Sequence, residues 1–112
     1  LIGYAKEGMF LNMAPLLDSI YLLKQHTNKL ENVGLSGGIT QIEKQIQEFL
    51  KKEGIEEIKV VGEKFNPEIM EIMEEVDRGP TSTQSGMVVE GVQKGYKMGD
   101  KVLRPAKVKI SK

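Results

Sequence analysis

The sequence has no cysteine and no tryptophan, and its aromatic residues are limited to three Tyr and three Phe among 112 residues. Without cysteine it can form neither a disulfide framework nor a thiolate metal site, which fits a reducing compartment. Its sixteen basic and sixteen acidic residues cancel, so there is no excess of Lys and Arg for binding nucleic-acid phosphates. No apolar run is long enough to cross a bilayer. These absences argue against nucleic acid and membrane as partners.

Residues suited to catalysis are also sparse. His26 is the one histidine, and at a predicted helix end it is typical of a solvated or capping residue. The neighbouring carboxylates at 56–57 and 74–75 are expected on strands, where successive side chains point to opposite faces. The glycines of segment 36–38 lack the Lys-Ser/Thr tail of a phosphate-binding loop. We therefore predict no catalytic residues, no metal site and no cofactor, and a protein that is not an enzyme.

Two amphipathic helices are predicted in the first half of the chain. Residues 1–27 carry apolar side chains at a three-to-four-residue spacing. We expect a break or restart near Met13 to Pro15, with Pro15 in a first turn, because proline lacks the N–H that a helix interior uses. A polar, glycine-rich connection is expected over 27–38. A second helix is predicted over 38–53, followed by Gly54, which suits the left-handed residue that ends many helices. Its apolar stripe comprises Ile39, Ile42, Ile46, Phe49 and Leu50.

From Ile55 onward the apolar period changes to two, which is typical of β-strands. Strands are predicted over 57–61, 69–76, 87–92, 94–97 and 102–110, the last interrupted at Pro105, with a loop over 79–86. The sequence thus predicts an α+β fold, with a helical dimerisation region over 1–54 and a small all-β domain over 55–112. Two short helices cannot bury their stripes alone, so we expect two chains to form a dimeric four-helix bundle.

Four short motifs follow one another along the chain. They are Pro-Leu-Leu-Asp-Ser at 15–19, Phe-Leu-Lys-Lys-Glu-Gly at 49–54, Phe-Asn-Pro at 65–67, and a Gln-Lys-Gly-Tyr run at 93–96 that leads through a hairpin to Val-Leu-Arg-Pro-Ala at 102–106. In this order they resemble the GrpE family, the nucleotide exchange factors of DnaK-type chaperones. The chain departs from the family pattern where Asn66 replaces an Asp and where no His follows Pro67.

The resemblance implies a homodimer with a long paired N-terminal helix, a four-helix bundle and two compact β-wings. Most of the long helix would precede Leu1, so we expect this chain to be a fragment of a longer protein. Gly38 matches a glycine at the start of the family's second bundle helix, and Pro15 has a structural position in the first. The implied dimer interface comprises Leu17, Ile20, Ile39, Ile42, Ile46 and Phe49.

The resemblance also implies that one wing binds the nucleotide-binding domain of the chaperone, opens its cleft and accelerates ADP release. Lys101 takes the place of a basic residue that follows the hairpin turn in the family. Val92 and Ile110 belong either to the wing core or to the interface, depending on the face that they occupy. Carried across by position, the contact surface comprises Phe65, Pro67, Val92, Lys101 and Ile110.

The implied location is the cytoplasm of a bacterium, with an organellar matrix as the less favoured alternative. A rival hypothesis is a non-catalytic homodimeric scaffold that binds another protein through its β-domain, by an edge of its sheet. A small enzyme built on an α+β dimer is a third and more distant alternative.

Overall fold

The computed structural model of the chain describes residues 2–77 and 84–112. The chain divides into two compact units, Leu1–Gly54 and Ile55–Lys112. The first is built from two helices and the second from β-strands, which confirms the predicted α+β class. Residues 79–83 of the predicted loop lie outside the described residues.

The helical unit consists of α1 (Ile2–Lys29) and α2 (Val33–Lys52). The predicted break at Pro15 is wrong, because α1 continues through the proline. A proline in a helix interior costs about 3 kcal/mol. Ala14 and Leu17, on either side of it, are buried, and packing of this apolar face outweighs the loss of one backbone hydrogen bond.

The predicted connection over 27–38 is also wrong, since only three residues separate the two helices. Asn32 caps α2, because its Oδ1 accepts the Leu35 N–H at 3.0 Å. Its carbonyl accepts the Ser36 N–H at 2.9 Å. This cap starts the helix early enough to include three glycines, although each costs about 1 kcal/mol relative to Ala. Gly38 consequently lies inside α2, whereas the resemblance placed it at the start of the helix.

The end of α2 follows the prediction. The helix stops at Lys52, and Gly54 adopts a φ of 80°, which is the left-handed conformation that glycine reaches most readily. The Gly54 N–H donates to the carbonyl of Lys51 at 3.0 Å. This bond satisfies one of the carbonyl groups that a helix end leaves without an intrahelical partner.

Apolar packing and two ion pairs hold α1 against α2. Lys24 Nζ lies 2.8 Å from Glu43 Oε1, and Lys6 Nζ lies 3.4 Å from Glu53 Oε2. The Glu43 side chain is only 11% exposed, so its carboxylate depends on Lys24 for compensation of its charge. This pair therefore favours one alignment of the two helices. The buried apolar side chains of the unit are Phe10, Ala14, Leu17, Ile39 and Leu50.

The second unit, which we call the wing, contains two three-stranded sheets. One sheet is antiparallel and has the order β1 (Ile55–Glu57), β4 (Tyr96–Met98), β5 (Lys101–Arg104). The other has the order β2 (Met70–Val76), β6 (Ala106–Ser111), β3 (Val88–Gln93), with β2 parallel and β3 antiparallel to β6. Pro105 separates β5 from β6, so the chain changes sheets at the predicted interruption.

The first predicted strand, 57–61, is wrong, because pairing of β1 with β4 ends at Glu57. Ile58 is buried and donates its N–H to the carbonyl of Gly95 at 2.9 Å. A turn follows at Gly62, whose φ of 83° ends the extended conformation. The remaining predicted strands overlap β2 to β6 with shifts of one or two residues at their ends.

The wing core lies against the β2-β6-β3 sheet. The central strand β6 alternates buried and half-buried residues along most of its length, as expected for a strand with one packed face. The segment before β2 packs three partly buried side chains against this core, those of Val60, Phe65 and Ile69. The fully packed cluster comprises Met70, Val88, Ala106, Val108 and Ile110.

Candidate functional site

The β4–β5 turn carries the predicted basic contact residue. Met98 pairs with Lys101 across the strands, and Gly99, with a φ of 60°, begins the reversal between them. The Lys101 side chain is exposed. The turn thus places the side chain of Lys101 at the surface, at one end of the β1-β4-β5 sheet, where a carboxylate of another molecule can contact it.

Phe65 and Pro67 lie in one turn but in different environments. Phe65 is half-buried against the wing core, and its N–H donates to the Gly86 carbonyl at 2.9 Å. Pro67 is exposed. Asn66 shapes the turn, because its Oδ1 accepts the Glu68 N–H at 3.0 Å, a local bond that Asp could make equally. The replacement of the family's Asp by Asn therefore keeps this turn.

Ile110 and Val92 occupy different environments, although the sequence allowed either the wing core or the interface for both. Ile110 is 6% exposed and belongs to the core cluster, so it has no exposed face to offer a partner. Val92 is 39% exposed and lies at a register shift between Gly91 and Gln93 in β3. Such a bulge turns a side chain away from the regular alternation of the strand.

The Gln-Lys-Gly-Tyr and Arg-Pro-Ala motifs meet each other inside the wing. Arg104 donates from Nε and from a terminal nitrogen to the carbonyl of Lys94, at 3.0 and 2.6 Å. Its guanidinium carbon lies 5.7 Å from the centroid of the buried Tyr96 ring, within the range of a cation–π contact. We call this set of contacts the Arg104 fork. It identifies both motifs as structural elements that hold the wing together.

Gly95 completes this arrangement. A Cβ atom at this position would lie 2.8 Å from the carbonyl carbon of Pro105 and closer still to the nitrogen of Ala106. Only glycine permits the two chain segments to approach so closely. Beside it, Lys94 Nζ lies 2.8 Å from Glu57 Oε1, so the side chain of Lys94 also ties β1 to this region.

Charge pairing covers the outer face of the β2-β6-β3 sheet. Lys109 Nζ lies 3.1 Å from Glu90 Oε2 and 3.5 Å from Glu74 Oε2. The hydrogen bond and the charge of Glu90, with a further contribution from Glu74, raise the pKa of Lys109 above its ordinary value. The centre of this face is thereby occupied by an internal network, and sequence alone did not single it out.

The helical unit retains a second set of apolar side chains at seven-residue spacing. Ile42 and Phe49 are each 48% exposed, whereas Leu17 and Ile39 are buried within the helix pair and Ile20 and Ile46 are intermediate. The predicted interface residues therefore fall into three groups, which are exposed, intermediate and buried. The half-exposed rows comprise Met9, Leu16 and Leu23 on α1 with Leu30 directly after its end, and Leu35, Ile42 and Phe49 on α2.

Gly38 lies on an open part of α2. No atom outside its own helix lies within 4 Å of the position that a Cβ would take. Packing within the described residues therefore does not require a glycine there. Its neighbour Gly37 has the same property, so the backbone of α2 is exposed at both glycines.

The part of the chain that the structure describes contains no group of three or more His, Asp or Glu side chains placed to hold a metal ion. Neither helix there combines the length and the apolar character required to cross a bilayer.

Comparison with known families matches the sequence model of GrpE to residues 1–112. The chain belongs to the GrpE family. It is 34% identical over 110 residues to Protein GrpE of Bacillus subtilis, an alignment that covers 96% of this chain and 57% of that protein. It is 37% identical over 111 residues to Protein GrpE of Alkaliphilus oremlandii, covering 97% and 57% respectively. With Protein GrpE of Oceanobacillus iheyensis it shares 33% identity over 109 residues, covering 97% and 56%. The chain thus spans little more than half the length of these GrpE relatives.

Proposed function

We propose that this chain is the chaperone-binding part of a nucleotide exchange factor, which acts as a homodimer in the bacterial cytoplasm. Its partner would be the nucleotide-binding domain of a DnaK-type chaperone, whose cleft the wing opens so that ADP leaves faster. The observation that carries the proposal is the family match over residues 1–112, and the relatives named above are bacterial.

The half-exposed rows of the helical unit support the dimer. Side chains seven residues apart on a helix lie on nearly the same face, and Leu16 and Leu23 of α1 remain 65% and 51% exposed. Transfer of such side chains from water contributes about 25 cal/mol per Å² of buried apolar area. A second copy that presents the same rows would cover them in a four-helix bundle. Leu11 and Leu22 are also exposed, which suits a helix packed on several sides.

The Arg104 fork supports the role of the wing as a rigid element. Holding the cleft of another protein open requires a contact surface that does not yield when the cleft tends to close. The fork and the close approach at Gly95 join β4, β5 and the start of β6. Lys101 projects from this braced region, and Pro67 and Val92 are exposed elsewhere on the wing.

The proposed mechanism is a linkage between two binding equilibria. A factor favours ADP loss if it binds the open, nucleotide-poor chaperone more tightly than the closed ADP state. By reciprocity, nucleotide must weaken the factor's binding by the same ratio. No bond is made or broken by the factor, so we propose that the protein is not an enzyme.

The second candidate is a homodimeric scaffold that binds a different protein through its wing. The exposed rows of α1 and α2 would serve it equally well, because they concern only the pairing of two chains. The candidates differ in what they do to the nucleotide of a chaperone, and an exchange measurement therefore separates them.

The test is stopped-flow release of a fluorescent ADP analogue from a DnaK-type chaperone, at low salt, with increasing concentrations of the chain. We expect saturable acceleration by orders of magnitude. Lys101→Glu should lower the acceleration at subsaturating concentration about tenfold, since a charge reversal in a contact surface acts mainly on association. Lys59→Glu, an equal charge change at another exposed site on the wing, should change it less than about twofold.

Each departure from these results has a definite meaning. If the dimer is intact and ADP release is unchanged, both with this chain and with the full-length protein that contains it, the exchange function is contradicted and the scaffold is favoured. Acceleration by the wild-type chain with equal rates for both variants contradicts the placement of Lys101 in the contact surface.

A further inference from the structure

The β2-β6-β3 sheet has one long open edge. Strand β2 pairs with β6 and with no other strand among the described residues. Five consecutive residues of β2, 71–75, are exposed. The charged residues of the strand, Glu71, Glu74 and Glu75, are all acidic, so this edge repels another acidic strand but not a basic one.

Hydrogen bonds at the two ends of β2 establish which backbone groups face this open edge. The Ile69 carbonyl accepts the Ala106 N–H at 3.0 Å, and the Val76 carbonyl accepts the Lys112 N–H at 2.9 Å. Both carbonyls therefore face β6 or its extension. Backbone groups alternate between the two edges of a strand, and a register shift between Ile72 and Glu74 inserts one extra residue. The backbone groups of Ile72 and Glu75 consequently point to the open edge.

The pairing of β2 with β6 shows which side chains suit this strand. On β6, Lys107 lies opposite Glu71, and Lys109 lies opposite Glu74 at an N–O distance of 3.5 Å. Between the two lysines, Val108 lies opposite Ile72. At the edge of β2 that faces β6, a Lys-Val-Lys segment is thus already paired with Glu71, Ile72 and Glu74. On the outer edge the same carboxylates remain accessible, and Ile72 is still 41% exposed.

We propose that the open edge of β2 binds an extended polypeptide segment in which Lys or Arg alternates with β-branched apolar residues. The segment would add a strand beside β2, with its N–H and C=O groups bonded to those of Ile72 and Glu75. Its cations would lie beside Glu71 and Glu74, and its apolar residue beside Ile72. A second copy of β2 does not suit this edge, because its glutamates would face those of the first.

This binding site lies outside the proposed contact residues for the chaperone cleft and does not depend on nucleotide exchange. The probe is a fluorescein-labelled Ala-Lys-Val-Lys-Ile-Ser peptide, which repeats the sequence of β6. Binding to the 112-residue chain is followed by fluorescence anisotropy and by amide chemical shifts of the ¹⁵N-labelled protein. We expect the largest shifts at Ile72 and Glu75, together with slower hydrogen exchange of their amides.

Matched peptides and variants define the outcome. Ala-Glu-Val-Glu-Ile-Ser and Ala-Lys-Pro-Lys-Ile-Ser should bind at least about fivefold more weakly, the first by charge and the second by loss of a strand N–H. Glu71→Gln should weaken the lysine peptide about threefold to fivefold. Glu68→Gln, which neutralises an exposed carboxylate outside β2, should leave it unchanged.

Five results would overturn the proposal. The first four are an equal effect of the two protein variants, equal affinity for the three peptides, shifts centred on β3 or on the helices, and no binding at millimolar peptide. Concentration-dependent shifts of the β2 amides without peptide would identify a second copy as the occupant, and would overturn it as well.

Discussion

Arg104 donates two hydrogen bonds, at 3.0 and 2.6 Å, to the single backbone carbonyl of Lys94. The two residues are ten positions apart, and the β4–β5 turn lies between them. The planar guanidinium provides both donors and also lies over the Tyr96 ring. A lysine ammonium in its place would be a point charge without a fork.

Arg104→Lys should therefore destabilise the wing while keeping its charge. We expect a loss of about 1–2 kcal/mol in the free energy of unfolding, the contribution of one charge-assisted hydrogen bond and a partly exposed cation–π contact. Urea denaturation followed by circular dichroism measures this loss. Lys107→Arg, a reciprocal exchange on β6, serves as the control and should change stability by less than about 0.5 kcal/mol. An unchanged midpoint for Arg104→Lys would show that the fork contributes nothing to stability.

Glu31 adopts a φ of 55° between α1 and α2, a left-handed conformation that costs a side-chain-bearing residue about 1 kcal/mol. Glu31→Gly should relieve this cost and raise the free energy of unfolding by roughly 0.5–1 kcal/mol. Thermal unfolding compares it with Gln25→Gly, which places glycine at an exposed position near the end of α1 and should destabilise by a similar amount. A lower melting temperature for Glu31→Gly would mean that its side chain makes a stronger contribution than its backbone conformation costs.

Ile42→Glu should dissociate the proposed homodimer, because it places a charge in a half-exposed apolar row of α2. Sedimentation velocity should then show a monomer at concentrations where the wild-type chain is a dimer, which corresponds to a loss of at least about 2 kcal/mol in the free energy of association. Thr40→Glu introduces the same charge at an exposed position of the same helix and should leave the dimer intact. A wild-type chain that is monomeric at high micromolar concentration would contradict the dimer itself.

Alkaline pH should weaken the wing through Lys109. Glu90 and Glu74 raise the pKa of Lys109 in the folded protein, so the charged form is favoured by folding. The stabilisation is complete below the pKa of the unfolded chain and disappears as pH rises through the raised pKa of the folded state. The difference in melting temperature between wild type and Lys109→Met should therefore shrink between pH 9 and pH 12. A constant difference over this range would mean that the ion pairs do not stabilise the fold.

The sequence predicted the helices and most strands because their apolar periods are local properties. It failed at Pro15 and over 27–38 because the outcome there depends on packing between α1 and α2 and on the Asn32 cap. Local propensity assigns a free-energy cost to proline and glycine in a helix, but it contains no information on the stabilisation that burial of neighbouring apolar side chains provides.

The candidate site was predictable in part for a related reason. Lys101 follows a recognisable turn, so its exposure could be anticipated. The faces of Val92 and Ile110 depend on the register of β3 against β6, and two register shifts along β3 alter it. The bond from Arg104 to Lys94 depends on the register of β4 against β5, which a shift between Tyr96 and Lys97 alters.

The central strand of the β2-β6-β3 sheet is also the one that follows the others in the chain. A ribosome therefore makes both outer strands before it makes the strand that joins them. Until β6 is made, the strands that contain Met70 and Val88 have no shared partner strand. The pairing of β2 with β6 joins residues more than thirty positions apart in the sequence, and such non-local pairing slows folding. Synthesis of β6 therefore sets the earliest point at which this sheet can close, and we expect a destabilising mutation in β6 to slow folding of the wing.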